Sequence, residues 1–283
     1  MNKIAVIGLG YVGLTTALTF ANANIMVVCI DKDNDKLRLL RNKEMPFYEK
    51  NCNELLQKNF NKLIFTSDYN LLYDINEFFI CVGTPLNSKN YLDITEILNT
   101  VKKIKEKISK DKFITICIRS TILPGTCELI REKINSSNIS IVHNPEFLSQ
   151  GNAINDIVNA KRIVIGSNDN RAIKRIKSLY NQFLKYYNKN IPIITMKEKD
   201  AEMVKFVANS YLAMRISFIN EISNLCKTID VNVEKVIDGV KYDERIGDKY
   251  FKSGIGYGGS CLPKDTNALL EFSKSKKCIL KLV

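Results

Sequence analysis

Three glycines at fixed spacing, Gly8-Leu-Gly10-Tyr-Val-Gly13, lie between a short apolar run, Lys3 to Ile7, and a stretch of helical periodicity, Tyr11 to Ala23. No other feature limits the fold so strongly. A strand that enters a helix through a turn of this kind is the first half of a βαβ unit, and the second apolar run, Met26 to Ile30, completes it. Six more strand-like runs follow, at Leu63 to Thr66, Phe78 to Val82, Phe113 to Ile118, Ile139 to His143, Arg162 to Gly166 and Ile191 to Thr195. Most are separated by amphipathic helical stretches. This alternation predicts an α/β fold with a Rossmann-type, doubly wound, mostly parallel sheet.

The pattern changes near Lys197. Lys199 to Ile229 reads as one long helix, apolar on most sides (Val204, Val207, Tyr211, Leu212, Met214, Ile216, Phe218, Ile219, Ile222, Leu225). A helix apolar over so much of its girth requires burial by neighbours, a second subunit being one means. The expected organisation is therefore a dinucleotide-binding domain over 1–197 and a helical domain over 198–283, consistent with 283 residues at roughly 150 per domain.

The chain carries 42 Lys+Arg against 30 Asp+Glu, a formal charge of +12. The Lys residues are dispersed on helix-like surfaces (Lys102, Lys103, Lys105, Lys107; Lys174, Arg175, Lys177). They read as a solvated face that also suits an anionic small substrate, and a nucleic-acid partner ranks last. No apolar run approaches the ~20 residues of a membrane span, and no signal peptide precedes the first strand. The 8 Cys are scattered, with one His in the chain. Zinc-type spacing is missing, so no metal is expected; buried thiols in a reducing cytoplasm fit best.

In the glycine turn, Gly8 permits the tight bend, Gly10 lets the backbone approach a pyrophosphate and Gly13 lets helix and strand pack closely. The amides of Tyr11, Val12 and Gly13 open the helix and face the phosphates. Asp31 ends the second strand, where a carboxylate accepts a ribose 2′-hydroxyl and repels a 2′-phosphate, so NAD is expected over NADP. Lys36 lies close by, either at a cofactor phosphate or in solvent.

A second cluster supplies chemistry. Gly254-Ile-Gly256-Tyr257-Gly258-Gly259-Ser-Cys261-Leu-Pro263-Lys264-Asp265 places a Cys at the end of a glycine-rich loop, just before a helix opened by Pro263. Helix amides and dipole stabilise a thiolate at such a place, which marks Cys261 as the candidate nucleophile and the other Cys as core; a small residue in a tight turn is the competing reading. Asp265 either handles a proton or favours the helix N-terminus. Lys205 and Asn209 are i and i+4 on the long helix and form a polar patch amid apolar residues, directed at a ligand, or else Lys205 snorkels to water and Asn209 caps a packing gap. Asn144-Pro145-Glu146-Phe147 follows the strand that ends at His143, where α/β sheets place ligand contacts. His143 itself reads as packed.

These motifs, together with Val82-Gly-Thr84-Pro85, Arg119-Ser-Thr121-Ile-Leu-Pro124 and Asn209-Ser-Tyr-Leu-Ala-Met-Arg215, resemble the nucleotide-sugar dehydrogenases of the UDP-glucose/GDP-mannose dehydrogenase family. They run in family order from residue 3 to residue 272. The resemblance implies four-electron oxidation of a sugar C6 alcohol to a carboxylate, with UDP-glucose ranked before GDP-mannose. Cys261 is similar to the family nucleophile that forms a thiohemiacetal and then a thioester. Asp265 and Lys205 would flank the C6 oxygen and Asn209 would support the oxyanion. Glu146 and Thr121 match positions that assist thioester hydrolysis, and Thr84, Thr121 and Lys264 match cofactor contacts. Phe147, Leu148 and the loop Phe251, Gly254, Gly256, Tyr257 and Gly258 would cradle the sugar. Arg245 matches an arginine that reaches a neighbouring subunit of a homodimer.

Two departures accompany the match. Gln150 stands where the family usually carries a Glu near the cofactor. The family's C-terminal nucleotide-binding domain is expected to be absent, because the segment Ser273 to Val283 does not resemble the long connecting helix. A non-catalytic remnant that still binds NAD is the rival reading.

Overall fold

The computed structural model describes residues 2–109 and 111–281. Its elements run β1 (Lys3–Ile7), α1 (Tyr11–Asn22), β2 (Met26–Ile30), α2 (Asn34–Arg41), α3 (Cys52–Asn59), β3 (Leu63–Thr66), β4 (Glu77–Ile80), α4 (Thr95–Lys107), β5 (Ile114–Ile118), α5 (Thr126–Ile134), β6 (Ile139–His143), α6 (Ala153–Val158), β7 (Ile163–Gly166), α7 (Asn170–Tyr186), β8 (Ile193–Met196), α8 (Glu198–Thr228), α9 (Val233–Val240) and α10 (Leu262–Ser275).

The strands form an 8-stranded sheet in the order β3-β2-β1-β4-β5-β6-β7-β8. Neighbours are parallel except β6 and β7, which meet through His143 and Gly166. The chain winds outward from β1 to β3 on one side and from β4 on the other. The crevice beyond the carboxyl ends of β1 and β4 is therefore the topological switch point, where such sheets bind ligands.

Both sheet faces are covered, which is why the strands are nearly continuous apolar runs. Within β4, Phe79 joins one core with Leu14, Leu18, Phe20 and Phe183. Its neighbours Phe78 and Ile80 join the other core with Ile97, Ile104, Ile116 and Ile130. Alternate side chains of one strand serve opposite layers.

Besides shifts of one or two residues at the ends of β5, β7 and β8, three details differ from the periodicity. β4 stops at Ile80 rather than Val82, because Ser120 Oγ donates to the Val82 carbonyl at 2.6 Å and turns Val82 out of the ladder. α8 has the expected length, but Val207, Tyr211, Phe218 and Leu225 are 56%, 52%, 51% and 57% exposed, so one apolar stripe is uncovered. Cys278, expected in the core, is exposed beyond the end of α10.

The chain divides into two compact units, one of Met1–Thr84 with Asp93–Met203, the other of Pro85–Leu92 with Val204–Val283. No helix among the described residues is long and apolar enough to cross a membrane.

Within the first unit, the opening turn of α8 is tied to the start of α5. Glu202, fully buried, accepts the amide of Gly125 at 2.6 Å and of Cys127 at 2.7 Å. Arg131 grips Glu198 with two bonds, at 3.0 and 2.6 Å. Two N-terminal amides of α5 have no intrahelical partner, so a carboxylate at that place both caps the helix and meets its positive dipole end. Glu202→Ala strands those amides in a buried site. The expected loss is about 2–3 kcal/mol of unfolding free energy, read from urea denaturation; a loss below about 0.5 kcal/mol would remove Glu202 from the fold's supports.

Candidate functional site

The glycine turn sits at the switch point. Gly8 has φ +89°, and a Cβ there would lie 2.8 Å from the Val82 nitrogen. A Cβ on Gly13 would lie 1.8 Å from the Gly8 carbonyl oxygen, so the turn and α1 are pressed together beyond what alanine allows. Gly10 is different: a Cβ there meets nothing within 4 Å. The protein itself does not require glycine at position 10, but a ligand that approaches this backbone does. Gly10 is also the N-cap of α1 and offers no side-chain cap, which leaves the first-turn amides of Tyr11, Val12 and Gly13 for an anion.

A cavity of about 1030 Å³ opens beside this turn, lined by Gly8, Gly10, Asp31, Lys36, Val82 and Gly83 and by Asn99, Thr100 and Lys103 of α4. Asp31 Oδ2 accepts the Leu9 amide at 2.7 Å and the Lys36 ammonium at 3.0 Å, and Oδ1 accepts the Asp33 amide at 2.9 Å. Burial raises the Asp31 carboxyl, but the Asp33 and Leu9 amides and Lys36 outweigh it and hold the group below the ordinary carboxylate value. Oδ1 retains a lone pair for a ribose hydroxyl. Lys36 forms a salt bridge to Asp31 and lines the same cavity. Cys81 also lines the cavity, its thiol pushed up to about 12 by burial, so it stays protonated at neutral pH. The uncapped amides, the bare Gly10 surface and the ionised Asp31 together fit a dinucleotide with a free 2′-hydroxyl.

Other expected cofactor residues lie around the same sheet edge. Thr84 Oγ1 donates to the Thr121 carbonyl at 2.9 Å, which ties the loops after β4 and β5 together. Gln150 is exposed in the turn before α6. Glu146 is buried and accepts the Leu148 amide at 2.7 Å. Glu146, Phe147 and Leu148 line a second cavity of about 370 Å³ in this unit.

Arg119, singled out only as part of a motif, is the residue on which this loop rests. Its buried guanidinium donates to Asn144 Oδ1 at 2.7 Å and to the Tyr180 hydroxyl at 3.2 Å, while Asn144 Nδ2 donates to the Val164 carbonyl at 2.8 Å. Arg162 stacks on the Phe147 ring at 4.1 Å. A buried guanidinium at the start of an Arg-Ser-Thr motif was the one available signal, since such a charge demands acceptors. His143 is buried, its Nδ1 3.0 Å from the Ile118 carbonyl, as its packed reading requires.

The second unit holds the remaining candidates. Asn209 Nδ2 donates to Asp265 Oδ2 at 2.6 Å, and the Lys264 ammonium pairs with Asp265 Oδ1. Lys264, expected at the cofactor, is paired with its neighbour Asp265. Asp265 is fully buried and Lys205 and Asn209 are nearly so. Cys261 is exposed at the N-cap of α10, with Ser260 Oγ 3.7 Å from its sulfur. Asp265, whose amide donates to the Cys261 carbonyl at 2.9 Å, follows one turn later.

The loop residues expected to cradle a sugar are held by α8. Phe251 stacks on Phe218 with ring centroids 6.3 Å apart and lies under the Arg215 guanidinium. Arg215 also donates to the carbonyls of Ile246 at 2.6 Å and Gly247 at 3.1 Å. The Gly254 amide donates to Asn220 Oδ1 at 2.8 Å. Gly256 takes φ +114°. Tyr257 is half-buried and Gly258 exposed. Arg245 projects from this loop, 89% exposed, with Asp243 its partner.

Two outcomes follow for the cofactor edge. Gly13→Ala is expected to abolish NADH binding, measured by fluorescence, and to cost at least the ~1–3 kcal/mol of an overpacked contact, because its methyl has no space beside the Gly8 carbonyl. Asp31 has a depressed folded-state pKa, so the stability it contributes is complete above the unfolded value of about 3.9 and is lost as pH falls through the lower folded value. Asp31→Asn is therefore expected to lower Tm at pH 7 and to flatten the decline between pH 5 and pH 3; an unchanged acid limb would contradict the assignment.

Residues 2–184 match the NAD binding domain of the UDP-glucose/GDP-mannose dehydrogenase family, and residues 199–283 match its central domain. The chain is 40% identical to UDP-glucose 6-dehydrogenase TuaD of Bacillus subtilis over all of its length and 61% of that protein's. It superimposes on a UDP-glucose dehydrogenase from Pyrobaculum islandicum with a TM-score of 0.91 and 32% identity, covering 100% of this chain and 66% of that one. A GDP-mannose dehydrogenase from Pseudomonas aeruginosa gives 0.78 and 30%, covering 97% and 65%. With the glycine turn, Asp31 and both family domains in place, the chain belongs to the UDP-glucose/GDP-mannose dehydrogenase family and carries its NAD-binding domain.

Proposed function

We propose that this chain oxidises the C6 alcohol of UDP-glucose to the carboxylate of UDP-glucuronate, with 1–197 as the cofactor domain and 198–283 as the catalytic domain. The observation that carries the reading is Cys261, an exposed thiol at the start of α10, one turn before a buried Asp265 held by Asn209 and Lys264. NAD, bound in the first unit and replaced once after it has been reduced, would supply the hydride acceptor for each oxidation. Lys205 and Asp265 take the proton of the C6 hydroxyl as the aldehyde forms. The Cys261 sulfur then bonds to C6 and the carbonyl oxygen receives a proton, giving a thiohemiacetal that retains the aldehyde. The Asn209 amide supports the oxygen, which bears negative charge during these steps. Loss of the remaining C6 hydrogen as hydride, with the hydroxyl proton passing to Lys205 and Asp265, leaves a thioester on Cys261. Water, assisted by Glu146 and Thr121, cleaves it to the carboxylate and the free thiol.

An exposed nucleophilic thiol has to stay reduced, which suits a cytoplasmic enzyme. The uncovered α8 stripe of Val207, Tyr211, Phe218 and Leu225 supports a homodimer through this helix, since large apolar side chains more than half exposed along one face need a cover. The Arg119-Ser-Thr121-Ile-Leu-Pro124 and Gly259-Ser-Cys261 segments keep GDP-mannose as the second substrate to test.

The purified chain is expected to form two NADH per uronic acid from UDP-glucose, and Cys261→Ser to end turnover at the aldehyde stage. A single NADH per product, or full activity in Cys261→Ser, would identify a two-electron dehydrogenase. GDP-mannose turnover in place of UDP-glucose would exchange the substrate. A folded chain that binds NADH and turns over neither sugar would be limited to cofactor binding.

A further inference from the structure

Between α2 and α3 the chain runs without regular structure and carries Glu49, only 4% exposed, among polar residues that are otherwise half-buried or exposed. Its two carboxylate oxygens reach more than a hundred residues along the sequence. Oε2 accepts the Gly151 amide at 2.8 Å and Oε1 accepts the Ala153 amide at 3.0 Å. Ala153 opens α6, so one bond caps that helix and the other fixes the turn before it. The same carboxylate lies beside Tyr11. Burial and then Glu49 raise the phenol above its ordinary value, and its hydroxyl donates to the Ser149 carbonyl at 2.6 Å. Phe47, two residues before Glu49, packs on the Tyr11 ring at 6.0 Å.

Three segments therefore meet at one buried charge: the first turn of α1, the loop before α3 and the turn 149–153. The first presents its amides to the cofactor phosphates, and the last carries Gln150. Topology orders them along the dinucleotide. Asp31, at the end of β2, marks the adenosine side, whereas the 149–153 turn follows β6 on the other side of β1.

We propose that Glu49 is a positioning residue for the nicotinamide half of the NAD site: its buried carboxylate, with Tyr11, holds the 149–153 turn against the first turn of α1, so that this half is formed before the cofactor arrives. The inference rests on the NAD-binding role of this domain. A carboxylate is required because both incoming groups are N–H donors. A glutamine presents one oxygen and one NH2, so it satisfies one amide and opposes the other. Asp156 of α6 takes the Ser149 amide at 2.8 Å and the Asn152 side chain at 2.6 Å, and Glu49 takes the amides of Gly151 and Ala153, which face the first turn of α1.

The test compares two ligands on the full chain. NADH contains both halves of the site's ligand, whereas ADP-ribose lacks the nicotinamide. Glu49→Gln is expected to weaken NADH by about tenfold while ADP-ribose changes by less than about twofold, as loss of a charged hydrogen bond on one side predicts. Amide exchange at 149–153 should quicken in the same variant, and Glu49→Asp, which keeps two acceptors, should recover part of the NADH affinity. Equal loss of both ligands would reduce Glu49 to general support and overturn the proposal, as would unchanged NADH affinity. Failure of the wild-type chain to bind either ligand would instead remove the cofactor role and the proposal with it.

Discussion

The contact between the Gly8 carbonyl and the bare Cα of Gly13 decides what the rest of the first unit is able to do. A methyl at position 13 would overlap that oxygen, so α1 lies against β1 at a distance that only glycine permits. That closeness aims the uncapped start of α1 at the crevice between β1 and β4, and it brings the Leu9 amide onto Asp31. The cofactor acid and the phosphate-facing amides are thus fixed by one packing event. Asp31 is doubly used: it closes the glycine turn through Leu9 and keeps a lone pair on Oδ1 for a ribose.

Buried carboxylates recur as the fold's connectors. Asp31 takes Leu9 and Asp33, Glu202 takes Gly125 and Cys127, and Glu49 takes Gly151 and Ala153, in every case through backbone amides. Amides at turns and helix starts cannot be paired within their own segment. A charged acceptor from elsewhere satisfies two at once and specifies which loop lies beside which helix. Such bonds are stronger than neutral ones, and the cost of removing one partner in a buried site is what makes them specify.

The strands were legible because burial on both faces makes each a continuous apolar run, and the glycine turn because its spacing is local. β1, β2, β3 and β6 have the ends that periodicity predicts. Periodicity failed at β4, where Val82 is as apolar as its neighbours and is drawn out of the ladder by Ser120, thirty-eight residues away in sequence. Glu49, Glu202 and Tyr180 were invisible for the same reason. A carboxylate that accepts distant amides has no spacing to betray it, and on a sequence it looks like any other surface acid. Asn209 and Asp265 were recognised singly, but their contact joins residues 56 apart and only the fold brings them together. The family resemblance supplied roles for these residues, whereas their geometry came from the packing of α8 with α10.

The arrangement at the start of α10 separates two requirements that oppose each other. In the proposed reaction the nucleophile must be open to its substrate, and Cys261 is exposed at the helix N-cap. A proton carrier has to be shielded so that it exchanges with the reacting oxygen rather than with bulk water, and Asp265 is fully buried. One helical turn, closed by the bond from the Asp265 amide to the Cys261 carbonyl, spans the difference. Pro263 lies between them, where a first-turn residue needs no amide of its own. Because Asn209 and Lys264 each occupy one oxygen of Asp265, each oxygen keeps a further lone pair. The carboxylate therefore has acceptor capacity left beyond its two partners. In the proposed reaction that capacity would serve the deprotonation of the alcohol, the role given there to Asp265 with Lys205.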